Sequence, residues 1–313
     1  MSLSVLAFDE SDDRLLVEPS LSLQYREVMK FPAFDYESPT SLSEAVALLA
    51  DHGDEAMLLA GGQSLMPILA FRMAAPALLV DLKNVPALDR IDIGADGITL
   101  GARVRWRDIE RHTGLSATHP LLSAATRHIA HYQIRNRGTA GGSLALADPA
   151  AELPGVAVTC DARLSLFGPG GERHVAAAEF FLGPMTTDLA ADEILTAITF
   201  PAWPGGRRWA FREFARRKGD FALAGIALHY DLDAQGRARD AHIGVIGACD
   251  RPHRLQAAEA AIDGTDVDEV AIATAAEAAS SEVSPMEDHH APADYRRALV
   301  AILIERALQD AAS

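Results

Sequence analysis

Cysteine is almost missing from this 313-residue chain, which holds only Cys160 and Cys249. Two thiols cannot build an iron–sulfur cluster or a structural zinc site, since each takes about four protein ligands. They lie in unrelated apolar stretches, so two reduced core thiols are the reading. Positive charge is also scarce: 28 Lys and Arg stand against 44 Asp and Glu, a net charge of −16. That argues against a nucleic-acid partner, which needs clustered cations for its phosphates. No apolar run reaches the roughly 20 residues of a membrane span. The first residues are acidic and lack the pattern of a secretory signal. A cytoplasmic protein with no membrane span is the expectation.

An acidic chain that binds an anion must use local donors, not its overall field. Two glycine pairs offer them: Ala60-Gly61-Gly62-Gln63-Ser64-Leu65 and Thr139-Ala140-Gly141-Gly142-Ser143. Glycine lets a backbone approach closely and adopt positive φ, so two such loops brought together would present N–H groups to one diphosphate. The first pair lacks the GxGxxG spacing of a dinucleotide-binding βαβ unit, and no Lys-Ser or Lys-Thr follows as in a P-loop. A different anion site is needed. Arg135 and Arg137 precede the second pair and Ser143 follows it, supplying phosphate partners or ordinary surface charges. Asp148 and Glu152 come next, as hydrogen-bond acceptors, acid–base groups or helix-start residues beside Pro149.

The chain is long enough for two cores. Residues 1–28 are unlike the rest, with the charged run Asp9-Glu10-Ser11-Asp12-Asp13, and read as a leader or tag-like extension. Ser41 and Glu44 form a capping box for a helix that Gly53 stops. Strands are predicted at 57–60, 77–82, 98–102, 156–167, 173–175 and 193–200. His119-Pro120 opens a helix whose apolar face includes Leu121, Leu122, Ala125 and Ile129, and which would carry His128 and His131. The Pro- and Gly-rich stretch 201–206 marks a boundary. Beyond it, strands at 208–214, 222–232 and 241–248 precede helices at 254–262, 267–279 and 293–310. That order predicts a separate α+β unit. His289-His290 reads as exposed surface, and Asp220 as a turn residue.

Ordered motifs over nearly the whole chain carry a resemblance. They are Ala60 to Pro67, Gln133 to Ser143, Ala147-Asp148-Pro149 with Glu152, Asp192 to Leu195, Phe211 to Ala222, and Asp294 to Arg297. From Met29 onward the chain resembles the FAD-binding medium subunit of molybdenum hydroxylases, the group of the carbon monoxide dehydrogenase medium subunit and the xanthine dehydrogenase FAD domain. The resemblance implies an α+β fold. It has a two-subdomain FAD-binding domain of the PCMH type over 29–205, then a small C-terminal α+β domain over 206–313, an antiparallel sheet with helices.

The cofactor implied is FAD. By the resemblance, Leu58, Leu59, Ala60, Gly61, Gly62, Gln63, Ser64 and Leu65, with Thr139, Ala140, Gly141, Gly142 and Ser143, hold its pyrophosphate and ribityl chain. Ile129 and Leu195 fall at apolar positions near the cofactor, and Glu152 at a contacting carboxylate. Arg212 falls where xanthine dehydrogenases carry a lysine, and the two are not interchangeable. Ser143 replaces an asparagine common in the family. No residue falls at a catalytic or metal-ligand position. The implied partners are a large subunit with the molybdenum cofactor and a small subunit with two [2Fe–2S] centres, arranged as a dimer of heterotrimers. Electrons would pass through FAD to a terminal acceptor. Two alternatives stand beside this: a self-contained FAD-dependent oxidase or reductase, and a non-catalytic scaffold of the same fold.

Overall fold

A parallel sheet, an antiparallel sheet and a second antiparallel sheet follow one another along the chain. The computed structural model describes residues 31–313, so the extension expected over 1–28 lies outside the described residues. The first sheet is three-stranded, in the order β1 (Asp35–Glu37), β3 (Leu78–Asp81), β2 (Ala56–Leu59). Helix α1 (Leu42–His52) buries Ala45, Val46 and Leu49 against it. Ser41 accepts the Glu44 N–H at 3.2 Å, as the capping box requires. The Glu44 carboxylate reaches back to the Thr40 N–H at 2.8 Å, one residue earlier than the usual pattern. A short helix, α2 (Leu65–Ala70), follows β2.

The second sheet has five antiparallel strands in the order β4 (Ile91–Gly94), β5 (Gly97–Gly101), β10 (Ile194–Pro201), β6 (Arg163–Gly168), β7 (Gly171–Ala176). Its core packs against short helices: α3 (Trp106–Arg111), α4 (Leu115–Thr118), α5 (Pro120–Thr126), α6 (Tyr132–Arg135), α7 (Ala140–Leu146) and α8 (Glu152–Thr159). Helix α9 (Ala177–Phe180) and the hairpin of β8 (Phe181–Gly183) and β9 (Thr186–Thr187) sit between β7 and β10.

The third sheet runs β11 (Arg208–Phe214), β12 (Ala224–Leu232), β13 (Ala238–Ile246), β14 (His253–Arg254). Helices α10 (Gln256–Ile262), α11 (Glu269–Glu282) and α12 (Ala293–Ala312) cover one of its faces around a separate apolar core. The other face receives α8. Gly155 of α8 lies against Ile246, and Gly244 lies against the Thr159 side chain, so neither position has room for a Cβ. The architecture is α+β, as expected.

Two local expectations fail. The apolar run from Val156 reads as the start of a strand, yet residues 152–159 are helical and the strand begins at Arg163. All eight residues of α8 are buried. A helix enclosed on every side shows no amphipathic period, so the pattern cannot separate it from a buried strand. The sequence puts His128 and His131 on one helix, but α5 ends at Thr126 and the chain turns through Ala130 at φ 45°. Gly219 of the β11–β12 connection packs onto the His131 ring and the Ala130 carbonyl, a long-range contact that no local pattern carries.

Candidate cofactor site

Strand β2 pairs parallel with β3 as far as Leu59, opposite Asp81, and the first glycine pair follows at its end. Gly62 holds φ 70°, and a Cβ there would lie 3.2 Å from the Leu59 and Met66 side chains. Only glycine takes that backbone without strain. The Gln63 side chain folds back and donates Nε2–H to the Gly61 carbonyl at 3.1 Å. The Met66 N–H bonds the Gly62 carbonyl at 3.2 Å, which starts α2. Among the described residues, the backbone N–H groups of Gly62, Gln63 and Ser64 have no partner. Three successive free donors in a glycine turn make an anion-binding concavity.

The second pair differs. It lies inside α7, where Thr139 is the N-cap and accepts the Gly142 N–H at 3.2 Å. The Ala140 N–H bonds the Val104 carbonyl at 2.9 Å, and the Gly141 N–H bonds Ala102 at 2.8 Å. These donors are spent on the fold. Neither Gly141 nor Gly142 has positive φ; they are glycine because Gly141 abuts Ala102 and Gly142 abuts the Thr139 hydroxyl. The first loop meets the residues that lead into the second segment. A Cβ on Gly61 would run into the Arg137 carbonyl and lie 3.0 Å from the Gly138 Cα. The free donors are therefore on the first loop, and Arg137-Gly138, just before the second segment, is the wall that sets its position.

The remaining candidates fall around this junction. The Ala102 N–H bonds the Thr196 carbonyl at 2.9 Å, which brings Leu195 of β10 near the start of α7. Leu195 and Ile129 are buried in one core with Ala140 and Leu144. Ser143 is half-buried, and Leu58, Leu59, Ala60 and Leu65 are partly covered. Arg135 turns inward, bonding the Ile129 and Ala130 carbonyls at 2.9 and 2.7 Å and pairing with Glu110 at 3.1 Å. It braces the turn and is spent there, whereas Arg137 is exposed.

Glu152 opens α8 and is 5% exposed. Burial pushes its carboxyl up to about 7, with the Asp148 charge adding to the shift. Asp148 is raised as well, again by burial. The structure adds a residue that sequence reasoning missed. Glu213 of β11 is pushed up to about 8 by burial and by the Glu152 charge, and its Oε2 is buried with no hydrogen-bond partner. A carboxyl in such surroundings keeps its proton near neutral pH. The alternation of β11 was the available signal: Phe211 faces the first core while Ala210 faces the second, so Glu213 shares the face of Phe211.

By the same alternation, Arg212 lies on the opposite face of β11. It pairs with Asp310 of α12, which raises its pKa. Arg212 is thus not brought together with the glycine loops. Across the strand, Phe211 stacks on His128 at 4.9 Å, and burial, then the Lys218 and Arg212 charges, hold that imidazole below its usual value. Two cavities, of about 230 and 560 Å³, lie elsewhere and are lined by neither glycine segment.

Comparison with known proteins shows the family of the chain. Residues 32–203 match the family model described as the FAD binding domain in molybdopterin dehydrogenase, and residues 209–311 match the CO dehydrogenase flavoprotein C-terminal domain. The nicotine 6-hydroxylase medium subunit of Paenarthrobacter nicotinovorans is 40% identical over 283 residues, covering 90% of this chain and 99% of that protein. The carbon monoxide dehydrogenase medium chain of Hydrogenophaga pseudoflava is 35% identical over 280 residues, 90% of this chain and 97% of that one. A solved carbon monoxide dehydrogenase structure from the same organism superposes with a TM-score of 0.88 at 37% identity, covering 90% and 98% of the two chains. Quinoline 2-oxidoreductase from Pseudomonas putida 86 gives 0.86 at 39% identity, over 91% and 98%.

Proposed function

The chain belongs to the FAD-binding family of molybdopterin dehydrogenases, and from that membership we propose that it is the flavin subunit of a molybdenum hydroxylase complex. Its partners would be a large subunit carrying the molybdenum cofactor and a small subunit carrying [2Fe–2S] centres, as a dimer of heterotrimers in the cytoplasm. With only two thiols, both buried, this chain leaves cluster ligation to a partner. FAD, when bound, supplies the exchange of electrons between those centres and a terminal acceptor.

The observation that carries the cofactor reading is the row of free N–H groups on Gly62, Gln63 and Ser64, fixed against Arg137 and Gly138. These donors would hold the pyrophosphate without calling on the chain's net charge. Gln63 keeps the turn closed, and Arg137 and Gly138, leading into Thr139 to Ser143, set its far wall. Ile129 and Leu195 would present apolar surface toward the ring system. Glu152 would accept hydrogen bonds from cofactor hydroxyls or donate from its protonated carboxyl. Arg212, held by Asp310, is left out of this assignment.

The test is FAD retention. The purified protein, incubated with FAD and gel-filtered, should carry a flavin spectrum. Gly62→Val should lose it while keeping its circular dichroism, because the side chain strains a φ of 70° and closes the turn on Leu59 and Met66. Unchanged FAD retention in that variant would remove the first loop from the site.

A further inference from the structure

The smaller cavity, of about 230 Å³, lies between α8, the end of β10 and strands β12 and β13, away from both glycine segments. His229 of β12 lines it and is 2% exposed. Its Nε2 is 3.2 Å from the Thr159 carbonyl. A carbonyl only accepts, so Nε2 carries the hydrogen and Nδ1 is left as a bare acceptor. That Nδ1 is buried and has no partner. His242 bonds the same carbonyl through Nδ1 at 2.9 Å and lies between two carboxylates, its Nδ1 3.4 Å from Asp161 and its Nε2 3.5 Å from Asp240.

The walls are aromatic. His119 and Trp203 lie 4.6 Å apart between ring centroids, and Trp203 and His229 lie 5.4 Å apart. His119 spends Nδ1 on the Leu122 N–H. Burial lowers His119 to about 4 and His229 to about 2, so neither carries positive charge at neutral pH. Arg207 is matched by two 2.9 Å bonds to Asp231, and Arg254 is forked onto Glu259. Asp161 and Asp240 line the cavity beyond these pairs, with Asp161 3.3 Å from the already engaged Arg254. The field inside is negative, His229 Nδ1 and the Asp161 and Asp240 carboxylates are acceptors, and the walls are ring faces.

We propose that this cavity binds a small planar organic cation bearing N–H donors, its ring along Trp203 and His119 and one N–H directed at His229 Nδ1. The aromatic faces attract such a cation, and the carboxylates neutralise it. A cavity of roughly 150 Å³ accepts benzene, so this one holds a single ring with a substituent. An anion would meet Asp161 and Asp240. A metal ion needs ligands around one point, and no such group of three forms among the described residues. The site is separate from the cofactor loops and does not depend on their assignment.

Three probes of one shape and different charge test it by titration calorimetry on the full chain: benzamidinium, benzamide and benzoate. Benzamidinium should bind saturably, benzamide more weakly, and benzoate not at all. His229→Phe and Asp240→Asn should each weaken benzamidinium about tenfold, the scale of one charge-assisted hydrogen bond. Asp240 is exposed, so its variant keeps the fold should the His229 variant lose it. FAD retention should be unchanged in both, which keeps this result apart from the cofactor assignment. Benzoate binding as tightly as benzamidinium, equal affinity in both variants, or no saturable heat would overturn the proposal and leave the cavity to water.

Discussion

Glu152 of α8 and Glu213 of β11 are carboxyls taken out of water, close enough for the charge of one to act on the other. Each resists ionising because burial removes hydration, and ionised Glu152 makes Glu213 harder to ionise. The consequence for stability has a definite sign. A carboxyl raised in the folded state favours folding when protonated, so the contribution is complete below its usual value of 4.5 and is lost as pH rises through about 7 and 8. Glu213→Gln removes one of these titrations. The variant should match the parent at low pH and be more stable by about 1–3 kcal/mol near pH 9. Urea unfolding across the pH range checks this, and parallel pH profiles would show that Glu213 is not held protonated. Gly61 and Gly62 were legible from their type and neighbours alone. Glu213 was not, because its importance depends on a strand face and on a helix from another part of the chain.

Short helices decide much at the level of elements. The second glycine pair reads as a loop in the sequence, yet Thr139 caps a helix that begins at Ala140. Glycine sits there for the closeness of Ala102 and the Thr139 hydroxyl, not for positive φ. Helix α8 makes the same point on a larger scale. Gly155 and Gly244 let a helix and a sheet approach with no Cβ between them, with Ile246 and the Thr159 side chain filling the gap. Gly244→Ala would press its methyl into Thr159 and should destabilise the fold by about 1–3 kcal/mol. Gly170→Ala, at a turn with nothing within 4 Å, should change stability by less than about 0.5 kcal/mol. Thermal unfolding of the pair decides it; equal melting temperatures would mean that α8 can shift at no cost.

The second and third sheets are joined through α8, the Gly247 N–H to the Pro149 carbonyl, and the two imidazoles that share the Thr159 carbonyl, while Ile194 of β10 enters the core of the first sheet. A ligand that binds only the folded chain stabilises it by mass action, by about 2.7 kcal/mol at one hundred times its dissociation constant. Saturating FAD should therefore raise the melting temperature by several degrees. Calorimetry with and without FAD measures this directly. No shift at saturation would mean that the isolated chain does not hold the cofactor.

Composition, glycine placement and ordered motifs determined from the sequence alone that this is an acidic α+β protein of a flavin-binding family with no cluster ligands of its own. Those properties are local or additive, so they survive without coordinates. The sequence also located the capped helix at 42–52, the parallel strand before the first glycine pair and the three C-terminal helices, each of which carries its own period or cap. Tertiary structure alone decided which glycine loop keeps its N–H groups free, because the donors of the second are consumed by Ala102 and Val104, distant along the chain. It also turned Arg212 toward Asp310 and set Glu213 against Glu152, since a strand's two faces acquire different neighbours only when the sheets and helices pack.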